Sequence, residues 1–231
     1  MATRFPTDRT LILRSCARAF LLIFALVFMA ISPVRADNLF DAAARDDAPA
    51  VARLVAAGAA LEARDGQGRS ALMVATHSNA VAAARVLIAA GADVNARDAL
   101  EDSPYLYAGA EGRLEILRLC LAAGADLAST NRYGGTALTP AAHHGHVAVV
   151  RELLGTAIDK DQVNGLGWTA LLEAIILGDG GAAHTEIVRL LVAAGANVNL
   201  ADGAGVSPLA HARRRGFSAM AALLEKAGAR P

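Results

Sequence analysis

Cysteine is scarce in this chain: two residues in 231, Cys16 and Cys120. Neither sign of charge is in excess, with 22 basic and 22 acidic side chains. Long apolar runs are missing too. The uncharged stretch Ala19 to Ile31 has 13 residues, short of the about 20 that a membrane-spanning helix needs. Its context is informative. Arg4, Arg9, Arg14 and Arg18 precede it, Pro33 breaks it, and Val34-Arg35-Ala36 follows. This is the pattern of a secretory signal peptide over residues 1–36, cut after Ala36. Cys16 lies before the apolar run, where it cannot serve as the cysteine of a lipid-anchored precursor. The alternative is an uncleaved segment that tethers the rest of the chain to the outer face of an inner membrane.

Residues 37–231 form the expected mature chain, long enough for one elongated domain. They keep 17 basic against 21 acidic side chains, a net charge of −4, which argues against nucleic acid as a partner. Only Cys120 remains, so no intramolecular disulfide can form even in an oxidising compartment.

The body is repetitive. In Asn131 to Asp159 a turn containing Gly134 and Gly135 leads to Thr136, whose hydroxyl is placed to cap a short helix. Gly145-His146 breaks that helix, and Val147, Val150, Leu153 and Leu154 then fall on one face of a second. Two helices of this length cannot bury their apolar faces alone, so neighbours are required. Asp65, Asp98, Asn131 and Asn164 open successive units at a step of 33 residues, and Gly58, Gly91 and Gly124 close them at the same step. The second-helix segments VARLVAAGA, ARVLIAAGAD, LRLCLAAGAD and VRLLVAAGAN superimpose.

The registered copies resemble the ankyrin repeat family from about Leu39 to Ala229. The resemblance implies an all-α solenoid of about six helix-turn-helix units (39–64, 65–97, 98–130, 131–163, 164–201 and 202–229) joined by β-hairpin-like turns, the first and last acting as caps. The family's Thr-Pro-Leu-His motif survives as Ser70-Ala71-Leu72, Ser103-Pro104-Tyr105, Thr136-Ala137-Leu138, Thr169-Ala170-Leu171 and Ser207-Pro208-Leu209. A hydroxyl cap is therefore expected in every copy. Met73, Leu106, Thr139, Leu172 and Ala210 replace the usual histidine, and softer hairpins are expected.

Several positions depart from the repeat. Leu100-Glu101-Asp102 stands where glycine is expected, predicting an altered turn. Pro140 removes the helical bond to the Thr136 carbonyl. Thr156 to Asp159 replaces Gly-Ala-Asp, leaving Gly155 as the candidate left-handed residue. Asn164 and Asp202 are 38 apart, so five residues are inserted, and aligning Gly178 with Gly145 places them at Asp179 to Ala183, between the two helices. At the termini, Asp41, Arg45, Asp46 and Asp47 at one end, and Arg213-Arg214-Arg215, Glu225 and Lys226 at the other, read as solvated capping faces.

Candidate chemistry is sparse. His143, His144 and His146 are poorly placed to converge on a tetrahedral metal, since adjacent helical residues point about 100° apart. His77 occupies the position of His143 two units earlier. Gly178-Asp179-Gly180-Gly181 lacks the lysine and the strand of a phosphate cradle. Glu173, Asp179 and His184 would support acid-base or metal-dependent chemistry only if they converge; no nucleophile accompanies them. Asp179, Gly180, Gly181 and His184 are nonetheless expected to give the inserted loop a specific role. Cys120 aligns with Leu153 as a core side chain.

The resemblance implies a non-catalytic protein-protein interaction module without cofactor, binding through hairpin tips and first helices. Gln67, Arg69, Tyr107, Tyr133, Leu166, Trp168 and Glu173 are the candidate contact residues. The expected partner is a protein, with membrane contact only through an uncleaved N-terminus, and the expected state is a periplasmic or secreted monomer.

Overall fold

The computed structural model describes residues 38–230; the proposed signal segment and Cys16 lie outside them. Among the described residues there are twelve helices and no strand. They run in six antiparallel pairs: α1 (Leu39–Ala44) with α2 (Ala48–Ala56), α3 (Ala71–His77) with α4 (Val81–Ala89), α5 (Pro104–Ala110) with α6 (Leu114–Ala122), α7 (Leu138–His143) with α8 (Val147–Leu154), α9 (Ala170–Ile176) with α10 (Ala182–Ala193), and α11 (Pro208–Arg214) with α12 (Ser218–Lys226). Odd-numbered helices stack on one another in one layer and even-numbered helices in a second. No described helix is long and apolar enough to cross a membrane.

Alanine makes the first layer compact. A Cβ on Gly109 of α5 would sit 2.8 Å from the Ala137 Cβ, so these neighbours approach as closely as backbone allows. Larger side chains, Leu72, Leu87, Ile116, Leu117, Leu153, Leu171 and Ile187, fill the space between layers and are fully buried, each stabilising the fold by about 2 kcal/mol. Cys120 is one of these core positions, and burial pushes its thiol up to about 12.

The opening Asp or Asn of each unit after the first folds the turn that follows. Asp65 Oδ1 accepts from the N–H groups of Gln67 and Arg69, Asp98 Oδ1 from Leu100 and Asp102, Asn131 Oδ1 from Tyr133 and Gly135, Asn164 Oδ1 from Leu166 and Trp168, and Asp202 Oδ1 from Ala204 and Val206. A short acceptor side chain satisfies two backbone donors at once. The 33-residue spacing from Asp65 to Asn164 is the spacing of that device.

The turn at Leu100-Glu101-Asp102 is not altered. Glu101 adopts φ +64°, the left-handed conformation that Gly68, Gly134, Gly167 and Gly205 hold at the same position. Its backbone bonds match as well: Asp98 N–H reaches the Asp102 carbonyl at 2.9 Å, and Asp65 N–H reaches the Arg69 carbonyl at 3.0 Å. The unit keeps its shape and carries strain instead.

The hydroxyl cap holds at Ser70, Ser103, Thr169 and Ser207, each accepting from the N–H three residues on. It fails at Thr136, whose buried Oγ1 has no partner. Pro140 is the cause. With no N–H at Pro140, the Thr136 carbonyl instead takes the Thr139 N–H at 3.2 Å, the donor the hydroxyl would have used. The first turn of α7 tightens and the cap is lost.

Nor does Gly155 supply a left-handed turn: its φ is −79°. At this helix end Thr156 takes over, its hydroxyl donating to the Leu153 carbonyl and accepting from Ile158 N–H. The hairpins are not softened throughout either. Asp202 is tethered by His211 Nε2 at 2.7 Å and Asn164 donates to Glu173 at 2.7 Å, so the tether has moved one position along the first helix.

The five-residue insertion divides. The left-handed residue is Gly180, φ +74°, where Gly145 has φ +76°; two residues are added before it and three after it. The later three, Gly181 to Ala183, lead into α10, which is 12 residues long where its counterparts have 8 or 9. Ala182, Ala183 and His184 are therefore helical.

Loops on the far side of the hairpins are linked by a second ladder. Glu62 accepts from Asp93 N–H, Asn95 from Asp126 N–H, Asp161 from Asn197 N–H and Asn199 from Arg230 N–H. The register continues through Ala128, which has no acceptor to offer. At the same joint α6 and α8 leave an open dish of about 310 Å³ between Leu114, Arg118, Ala148 and Arg151, bridged by the Arg118–Glu152 ion pair at 2.9 Å.

Candidate protein-binding groove

Leu100, Tyr133 and Leu166 occupy the same position in three successive hairpins. Their N–H groups are held by Asp98, Asn131 and Asn164, and their side chains stand out 58%, 60% and 58% exposed. Beside this apolar row lies a groove of about 480 Å³, walled by Tyr107, Pro140 and Leu177, with Asn164, His143 and Glu173 also lining it. That volume lies in the range of sites that enclose drug-sized ligands. Regular Asx-turns put the row there, so its geometry follows from backbone bonding.

Glu173 is buried, 7% exposed. Burial pushes its carboxyl up to about 7, against the opposing effects of the Asn164 amide and of His144. Oε1 accepts from Asn164 Nδ2 at 2.7 Å, and His143 Nδ1 is 3.9 Å from Oε2. Burial holds His143 below the ordinary histidine range, with His144 and His184 acting in the same direction. Arg132 lies 5.0 Å over the Tyr133 ring and bonds Asp102 Oδ2 at 3.2 Å.

Of the sequence candidates, Tyr107, Tyr133, Leu166 and Glu173 line the groove. Tyr107 also stacks on His77 at 3.8 Å. Gln67 is an exposed hairpin tip one unit away. Arg69 is engaged with Asp65 at 2.8 Å within its own hairpin, and Trp168 is half-buried. Neither lines the groove. Leu100, Pro140, His143 and Leu177 were missed, although Leu100 stands 33 residues before Tyr133 in the same register.

Glu173 does not join Asp179 and His184. It faces Asn164 and His143, whereas His184 Nδ1 meets Asp179 Oδ1 at 2.8 Å and His184 Nε2 donates to the His143 carbonyl at 2.8 Å. Asp179 is held below the usual carboxylate range by the Gly181 N–H and His184. The inserted segment is built into the stack: Arg215 donates to the carbonyls of Ile176 and Gly178, and a Cβ on Gly180 would meet the Phe217 ring at 2.4 Å. Arg215 stays on the exposed face and also brackets two pairs, whereas Arg213 pairs with Glu225 at the surface.

The histidines diverge. The rings of His143 and His144 lie 4.6 Å apart at 43°, and His144 Nδ1 reaches the Ala110 carbonyl. Among the described residues no three His, Cys, Asp or Glu side chains are grouped to hold a metal.

Stacked helix pairs, an Asx-turn ladder and an exposed row of hairpin tips define an α-solenoid repeat protein. The sequence assigns it more narrowly. Residues 105–202 match the model of three ankyrin repeat copies and residues 67–99 the single ankyrin repeat model. An ankyrin repeat domain from Acinetobacter baumannii AYE is 56% identical over 83% of this chain and 98% of its own, with a TM-score of 0.81. The ankyrin repeat domain of Bcl-3, a member of the IκB family, is 28% identical over 84% of this chain and 87% of its own, with a TM-score of 0.76. The ankyrin repeat protein YahD of Escherichia coli K12 is 52% identical over 58 residues, 25% of this chain and 29% of that protein. The chain belongs to the ankyrin repeat family. Ankyrin repeats are generally protein-protein interaction modules, and the fold is typically a non-enzymatic scaffold.

Proposed function

We propose that this chain is a non-catalytic binding module, exported to the periplasm, that holds a protein partner in the groove beside Leu100, Tyr133 and Leu166. The observation that carries the reading is this row itself: three large apolar side chains, fixed by identical turns, exposed beside a groove. Exposed apolar surface rimmed by polar groups marks interaction sites, and aromatic anchors dominate interface energetics. Export rests on the N-terminal pattern, Arg4 to Ala36.

Photo-crosslinking from a benzoylphenylalanine placed at Tyr133 tests the interface in the producing cell. A protein adduct absent when the same probe replaces exposed Arg85, on the other layer, supports the reading; equal labelling from both positions sinks it. Intact mass of the exported chain tests processing. A species starting at Asp37 supports cleavage, and a retained N-terminus replaces it with the tethered form.

A further inference from the structure

The groove has an apolar rim but not an apolar floor. Glu173 is more than nine-tenths buried and lines it. One carboxyl oxygen is taken by Asn164, while the other has its nearest basic nitrogen, His143 Nδ1, at 3.9 Å, beyond hydrogen-bond reach. A buried carboxylate is held at a cost unless each oxygen finds a donor. Because Glu173 lines the groove, a bound ligand is placed to supply that donor.

The charges around it select the sign of the ligand. Asp102, Glu111 and Glu173 line the groove, and the cation among its lining residues, Arg132, is already bonded to Asp102 and set over Tyr133. Burial disfavours the charged form of His143. A cation entering the groove meets an unused acceptor; an anion meets three carboxyl groups and an occupied guanidinium.

We propose that the groove receives a segment of a partner polypeptide carrying a lysine or arginine flanked by apolar residues, the cationic head meeting Glu173 and the apolar neighbours lying on Leu100, Tyr133 and Leu166. This rests on the protein-binding reading above and names the chemistry of the partner. The long stem of either side chain suits the passage, because it lays methylenes along apolar walls while its head reaches the acid. Charge-assisted bonds of this kind strengthen away from water.

Ionisation follows from the same geometry. Protonated Glu173 has no charge to offer a cation, and its carboxyl titrates at about 7. The groups facing it are His143 at the end of α7, His144 just after it, and Asn164 from its own hairpin. On the α11 side His211 is committed to Asp202, and Arg215 to the Ile176 and Gly178 carbonyls. Binding of the cation therefore draws a proton out of Glu173, and affinity rises with pH.

The test uses the full chain and a phage-displayed library of random eight-residue peptides. The enriched peptide is synthesised, and its affinity is measured by fluorescence anisotropy for the wild type, Glu173→Gln and Tyr133→Ala, each checked for helicity and melting. The expected result is a lysine or arginine beside apolar residues, at least tenfold weaker binding to both variants, and affinity about tenfold higher at pH 8 than at pH 6 in the wild type only. Replacing the peptide's cation with norleucine or citrulline weakens binding to the wild type but not further to Glu173→Gln. A peptide that needs Tyr133 yet ignores Glu173 overturns the cation assignment and leaves the groove as a binding surface. A peptide indifferent to both substitutions, or no enrichment at all, counts against the groove itself.

Discussion

Asn164 Nδ2 donates to Glu173 Oε1 at 2.7 Å, joining the turn that opens the fifth helix pair to the first helix of that pair. The same asparagine holds two hairpin N–H groups with its Oδ1. One side chain therefore sets both the position of Leu166 on the rim and the position of the acid on the floor.

Stability should record the buried acid. The folded-state value of about 7 lies above the ordinary 4.5, so the folded chain keeps a proton that the unfolded chain has released. The contribution of Glu173 is full below about 4.5 and is lost as pH rises through about 7, roughly 3 kcal/mol in all. Urea unfolding of wild type and Glu173→Gln across pH 4.5 to 8 should show the wild type losing about that much relative to the variant. A pH-independent difference would falsify the burial argument.

Glu101 holds a conformation that costs a side chain about 1 kcal/mol. Glu101→Gly should raise stability by that amount in thermal or urea unfolding, without changing the far-UV spectrum. A loss of stability would mean that the glutamate makes a contact that outweighs its strain.

Pro140→Ala should return an N–H to the Thr136 carbonyl and release Thr139 N–H to the Thr136 hydroxyl. Restoring a helical bond and a cap together is worth about 1–3 kcal/mol. Amide exchange at Thr139 should slow in the variant, and unchanged exchange would refute the account of the lost cap.

Gly180→Ala places a methyl against Phe217 and a side chain at φ +74°. About 3 kcal/mol of destabilisation is expected, centred on α11 and α12 and visible as faster amide exchange over residues 208–226. Gly203→Ala, with nothing within 4 Å of the added carbon, should change stability by less than about 0.5 kcal/mol.

Periodicity made the architecture legible. A step of 33 residues, carried by Asp65, Asp98, Asn131 and Asn164, is visible in a single chain because each copy solves the same turn with the same acceptor. Competition for one donor was not visible. Pro140 predicts the loss of its own bond; that the Thr136 carbonyl would then take the hydroxyl's partner depends on distances within one turn. Glu101 misled for a related reason: composition shows a missing glycine, but the surrounding Asx-turn overrides the residue's preference and fixes the backbone. The site divides likewise. Tyr133 and Leu166 were readable from register, and so was Leu100 once its turn is known to be regular. Burial of Glu173, and its separation from Asp179 and His184, required the packing of α7 against α9.

The missing rung at Ala128 makes the stack mechanically uneven. Glu62 and Asn95 fasten the first three pairs in series, and Asp161 and Asn199 fasten the last two links; between them the even-numbered layer has the dish of about 310 Å³ and a surface ion pair. The joint is held instead on its hairpin side, where Gly109 packs on Ala137, His144 Nδ1 meets the Ala110 carbonyl at 2.7 Å and Arg132 bonds Asp102 at 3.2 Å. Its fastening is therefore one-sided, beside Tyr107, Tyr133 and Pro140 rather than behind them. Ala128→Asn would supply the absent acceptor to the Asp159 N–H and make the fastening of this joint two-sided, like that of its neighbours.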